Sequence, residues 1–170
     1  MLLNKEQIES IQNRNVTYVK KFALLDREYD FNFISDLVEE NYLKVISHTS
    51  IGDLKDVFQI KKVSNIKKEF TIFFDFLTKL FKYERYENDG VDLFFSFVSQ
   101  VGNSHVDIED VFIIGLKGTT IYRVFDNENE DYNIEKGDMI FIPKGKKHKV
   151  LGINPRIVAS IGFYGKKLNG

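Results

Sequence analysis

The sequence predicts a mainly β protein with some α: a small barrel or sandwich in the C-terminal half, covered by a helical layer from the N-terminal half. Two observations predict it. Residues 91–170 break into short apolar runs divided by turn signals, whereas within residues 1–90 one segment carries a long apolar stripe at helical spacing. A chain of 170 residues is long enough for one domain with a real core. No repeat or low-complexity linker divides it, so residues 1–170 read as a single domain, 1–90 forming the helical layer and first strands and 91–170 the barrel core.

The first helical segment runs from Asp36 to Val45, where Leu37, Val38, Tyr42, Leu43 and Val45 recur among charges. The second, Ile66 to Tyr86, is the clearest. Phe70, Ile72, Phe73, Phe76, Leu77, Leu80 and Phe81 form a wide apolar face, with Lys67, Lys68, Glu69, Asp75 and Lys79 mostly off it. Such a helix is expected to pack on a sheet. The strands expected after it are Val91–Val98, Val111–Leu116, Thr119–Phe125, Met139–Ile142, Lys149–Gly152 and Arg156–Phe163. Turns fall at 102–104, 117–118, 136–138 and 143–145, where glycine or proline interrupts the runs. The acidic run 126–131 lacks the spacing and distal glutamate of an EF-hand loop and reads as a solvated hairpin tip.

Composition narrows the function classes. Net charge is −1 and the lysines are scattered, so no phosphate-backbone binder is indicated and no nucleic-acid partner is expected. The absence of cysteine excludes disulfides, thiolate zinc sites and cysteine nucleophiles. No basic segment followed by an apolar one opens the chain, and no run of about 18 apolar residues occurs. A cytoplasmic location without a membrane anchor is therefore the expectation.

Two of the three histidines stand in patterned surroundings. In Ser104-His105-Val106-Asp107, residues two apart in an extended segment point to one side, so His105 and Asp107 can offer a nitrogen and an oxygen to one point. Downstream, Gly137-Asp138 opens the strand Met139–Ile142, Pro143 and Gly145 turn the chain, and His148 starts the return strand. With the two segments side by side, His148 faces the same point. Two imidazoles and a carboxylate on one side of a metal leave the opposite positions open, which suits non-haem Fe(II). Such a set also accepts Mn, Ni or Zn. His48, in Ser47-His48-Thr49-Ser50, has no such context and reads as an ordinary loop or surface histidine.

These residues resemble known motifs. The segment from Gly137 to His148 resembles the second conserved motif of the cupin superfamily, whose fold is the double-stranded β-helix or jelly-roll barrel. His105-Val106-Asp107 is similar to the His-x-Asp form of JmjC-like, 2-oxoglutarate-dependent oxygenases. Asp110 to Ile114, Lys117-Gly118, Tyr122-Arg123-Val124 and Ser160 to Phe163 resemble the bacterial ribosomal-oxygenase and asparaginyl-hydroxylase branch. The resemblance covers roughly residues 93–165.

The resemblance implies an Fe(II)-dependent dioxygenase. His105, Asp107 and His148 would be metal ligands and catalytic residues, with 2-oxoglutarate as co-substrate and a small-molecule or peptide substrate. Thr120, Tyr122 and Asn103 would be the cofactor-binding candidates. One departure matters. The branch places lysine or arginine two residues after the glycine matching Gly118, to pair with the far carboxylate of 2-oxoglutarate. Thr120 stands there instead, and a hydroxyl does not replace a charge-assisted pair. Lys117 and Arg123 fall on the opposite face by alternation. Two alternatives therefore stay open: a metal-dependent cupin enzyme acting on a small chelating substrate without 2-oxoglutarate, and a non-catalytic ligand-binding cupin. The C-terminal dimerisation and substrate-recognition regions of that branch are expected to be absent, although exposed barrel edges leave room for a homodimer.

Overall fold

The structure is a computed structural model that describes residues 2–41, 45–48, 57–87, 89–126 and 128–165, with backbone only for 46–48 and 100. The described residues form three α-helices, a short 3-10 turn (Val63–Asn65) and eleven strands: α1 (Lys5–Gln12), β1 (Thr17–Val19), α2 (Phe31–Glu40), β2 (Val45–His48), β3 (Val57–Ile60), α3 (Lys68–Phe81), β4 (Gly90–Ser96), β5 (Gln100–Val101), β6 (Asp110–Lys117), β7 (Thr120–Phe125), β8 (Asn129–Ile134), β9 (Met139–Ile142), β10 (His148–Gly152) and β11 (Arg156–Phe163). They make a seven-stranded sheet in the order β1-β9-β6-β11-β4-β3-β2 and a four-stranded sheet in the order β5-β10-β7-β8. Every described pairing is antiparallel. Residues of both sheets line one cavity, so the sheets face each other as in a jelly roll.

Strand alternation divides the large sheet into two faces. Phe112, Ile114 and Leu116 of β6, Ile157, Ala159, Ile161 and Phe163 of β11, and Leu93 and Phe95 of β4 join the helices in one core. Their neighbours Val111, Ile113 and Val158 point the other way and join Tyr122 and Ile134 of the small sheet in a second. With both faces covered, β6 and β9 read as continuous apolar runs rather than alternating ones.

The helices are placed by their caps and stripes. Asp30 caps α2, accepting from Phe33 N at 3.0 Å, and Phe33, Ile34 and Leu37 form its buried face. The helix expected at Asp36–Val45 thus starts and ends earlier. Residues 42–44 lie outside the described residues and Val45 opens β2. In α3, Phe70, Phe73, Phe74, Leu77 and Phe81 are buried, whereas Ile72, expected on that face, is half exposed. Phe74 stacks on Phe163 at 5.3 Å and Phe81 on Phe112 at 5.6 Å, so the helix packs on the sheet as its periodicity predicts. It stops before Tyr86 because Lys82 turns left-handed (φ 54) and sends Tyr83 down onto Phe163, at 4.2 Å.

Five strands have no assigned place in the sequence reading: β1, β2, β3, the two-residue β5, and β8. β1 pairs with β9, and β3 and β2 extend the sheet beyond β4, in a half expected to be mainly helical. Each has four residues or fewer, too short to show a period. β8 takes up residues 129–131 of the run expected to be a hairpin tip. It is an edge strand exposed along most of its length, so it carries no apolar alternation.

Candidate metal centre

His105 and His148 lie on neighbouring segments joined backbone to backbone. His105 N donates to His148 O at 2.8 Å, and His148 N donates to His105 O at 2.9 Å. This brings the rings to 4.4 Å between centroids. His105 Nε2 is 3.7 Å from Asp107 Oδ1, and His148 Nε2 is 3.5 Å from Asp107 Oδ2. One donor atom from each residue falls within 4.8 Å of the others. The turn before His148 is fastened to the first segment. Gly145, at φ 80, donates to Asp107 O at 3.0 Å, and Lys144 N donates to Asp110 Oδ1 at 2.8 Å.

Asp110 is a joint behind the site. It is buried and accepts from Arg14 Nη1 and Nη2 (3.0 and 2.6 Å), Tyr83 Oη (2.8 Å) and Lys144 N. The chain before β1, the end of α3 and the turn before His148 thus meet on one carboxylate.

The orientation of the imidazoles fits a metal. His105 Nδ1 is 3.2 Å from Asn103 O, and His148 Nδ1 is 3.0 Å from Lys146 O. A carbonyl accepts only, so each Nδ1 carries the proton and each Nε2 lone pair is turned toward Asp107. Burial lowers the His148 pKa and favours the neutral, ligating form.

The trio borders a cavity of about 320 Å³ between the sheets, within the range of small-ligand pockets. Apolar side chains, among them Phe94, Val111, Val150 and Val158, form part of its wall. Its charged groups are separated. Asp92 and Glu109 sit toward the end of β11, Asp92 opposite Ser160 and Glu109 against Gly162 and the hydroxyl of Tyr164 just past the strand, and the Glu109 pKa is raised, first by burial and then by Asp107 among other carboxylates. Arg156 opens β11 at the other end and is buried.

Of the cofactor-binding candidates, Thr120 and Tyr122 line the cavity and are buried. Asn103 is exposed and outside the lining; its carbonyl accepts from His105. Arg123 points away and pairs with Asp131 at 2.6 Å, as alternation predicts. His48, expected as an ordinary loop or surface histidine, has its backbone at the end of β2. Sequence reasoning missed Arg156, Glu109 and Asp92. For Arg156 a signal existed: it shares strand parity with Ser160 and Gly162, the two small residues that leave room on the inner face.

The two facing antiparallel sheets define the class by fold alone, a jelly roll. Among solved structures, the chain is similar to the ribosomal oxygenase YcfD from Escherichia coli in complex with cobalt and succinic acid, at TM-score 0.75 and 20% identity over 99% of this chain and 53% of that one. It is also similar to YcfD in complex with cobalt and 2-oxoglutarate, at TM-score 0.74 and 19% identity over the same shares. The chain therefore spans about half the length of that enzyme. The match includes the N-terminal half, for which the sequence showed no resemblance. No protein-family model matches the sequence, and no curated protein matches it.

Proposed function

We propose that the chain is an Fe(II)- and 2-oxoglutarate-dependent oxygenase that hydroxylates a C–H bond of a peptide or protein substrate. The observation that carries this reading is the convergence of His105 Nε2, His148 Nε2 and an Asp107 carboxylate oxygen beside a cavity large enough for a small dicarboxylate. The likeness to a ribosomal oxygenase supports a peptide substrate over a free small molecule. Iron bound there would supply the coupling of O₂ reduction to two oxidations: 2-oxoglutarate to succinate and CO₂, and the substrate C–H to C–OH.

The residues of the chain hold the geometry. The carbonyls of Asn103 and Lys146 fix both imidazole tautomers. The Gly145 bond to Asp107 O keeps the carboxylate-bearing segment against the turn before His148. The apolar wall limits water around the reacting groups. The proposed setting is cytoplasmic, where the chain would meet ribosomal or other protein substrates. No helix among the described residues is long and apolar enough to cross a membrane.

Calorimetric titration of 2-oxoglutarate into the anaerobic, Fe(II)-loaded protein tests the reading. Micromolar binding that disappears in His148→Ala is expected. Stoichiometric metal loading without 2-oxoglutarate binding would overturn it in favour of a metal-dependent cupin whose substrate chelates the metal directly.

A further inference from the structure

We propose that Arg156 and the Thr120 hydroxyl together form a carboxylate subsite in the cavity, so that the cation absent from β7 is supplied from β11. This rests on the oxygenase reading for the identity of the ligand, 2-oxoglutarate, but not for the existence of the subsite.

Register places the two groups together. Thr120 of β7 lies directly opposite Gly152 of β10. Side chains at such a pair share a face, with Cβ atoms roughly 5 Å apart. Gly152 has no Cβ, and the Arg156 guanidinium takes its place. A Cβ built on Gly152 would fall 1.8 Å from Arg156 Cζ, 2.0 Å from Nη1 and 2.3 Å from Nε. The guanidinium therefore occupies the cross-strand position beside Thr120. Tyr122, two residues along the same face of β7, lines the same cavity.

Neither group is satisfied by the protein. Arg156 is 6% exposed, and of its five N–H donors Nη1 is bonded to Val98 O at 3.0 Å. No carboxylate pairs with it among the described residues, although a buried charge is costly without a partner. Thr120 is 1% exposed, and its Oγ1 has no hydrogen-bond partner among the described residues. A carboxylate fits both, accepting from a guanidinium edge and from the hydroxyl. The lysine or arginine that the related branch carries at position 120 would meet this guanidinium, which accounts for a short neutral residue there.

The test is titration of the Zn(II)-loaded protein, which does not turn over, with 2-oxoglutarate and with 2-oxobutyrate, which lacks the far carboxylate. Succinate is titrated into the metal-free protein in parallel. The expected results are a clear preference for 2-oxoglutarate over 2-oxobutyrate and a loss of about 10- to 100-fold in 2-oxoglutarate affinity in Arg156→Met. Thr120→Val is expected to lose about 3- to 10-fold without loss of fold, since the hydroxyl it removes is unpartnered, and so decides the matter if Arg156→Met does not fold. Thr120→Lys alone should weaken binding by crowding two cations, whereas Thr120→Lys with Arg156→Met should recover it. Unchanged 2-oxoglutarate affinity in both single variants would overturn the subsite. If the metal-loaded protein binds no 2-oxoglutarate but succinate binds in an Arg156-dependent way, the oxygenase reading falls and the subsite stands. If neither ligand binds, both fall.

Discussion

On the outer face of the seven-stranded sheet, Phe112 and Phe163 meet Phe74, Phe81 and Tyr83 in stacked and edge-on pairs. On the inner face of the same strands, Val111, Ser160 and Gly162 border a cavity that ends in His105, Asp107 and His148. One residue step separates the two environments. The outer face is filled with aromatic rings, and the inner face is left partly open. Residues that stabilise the fold and residues that make the site therefore alternate along single strands, and strand parity predicts which property a substitution changes.

The largest effect on stability is expected on the outer face. Phe163→Ala removes a ring packed against Phe74, Tyr83 and Phe112 and should cost about 3–5 kcal/mol in chemical denaturation. A cost below about 1 kcal/mol would show that the helical layer is not part of the cooperative core. Asp110→Ala comes next, at about 2–3 kcal/mol, because it strands the Tyr83 hydroxyl and Lys144 N; Arg14 is half exposed and regains water. It should also weaken metal retention, by loosening the turn before His148. Normal metal affinity in a folded Asp110→Ala protein would separate that joint from the site.

On the inner face the order reverses. Asp107→Ala or His148→Ala should abolish metal retention, read by elemental analysis after dialysis, while changing stability by less than about 1.5 kcal/mol. Full metal occupancy in either variant would refute the ligand assignment. The smallest effect is expected for Ser160→Ala, within about 0.5 kcal/mol in denaturation, since its side chain borders open space.

The C-terminal half of the fold was legible in the sequence because its strands are apolar and separated by turn residues. Met139–Ile142 and Arg156–Phe163 fall at the expected residues. The N-terminal strands were not. Thr17–Val19 is a strand because β9 offers it an edge, a fact of tertiary pairing that three residues cannot encode locally. The candidate metal site was legible as a cluster because the His-x-Asp spacing and the Gly-Pro-Gly-His pattern each place a possible donor. The expectation that the two segments lie side by side is met by the paired bonds between His105 and His148. Arg156 escaped notice because its place beside Thr120 arises from register across β7 and β10 and from the missing side chain of Gly152.

The reciprocal backbone bonds between His105 and His148 have a consequence for how the centre would be loaded. The separation of the two imidazoles is set by a peptide ladder, not by an ion drawing loose chain ends together. Metal capture would then require only side-chain adjustment, and the free energy of coordination would appear as affinity instead of being spent on ordering a loop. Chelation should consequently leave the sheet signal in circular dichroism intact, and reloading should proceed at the pace of diffusion and rotamer exchange, without a refolding phase.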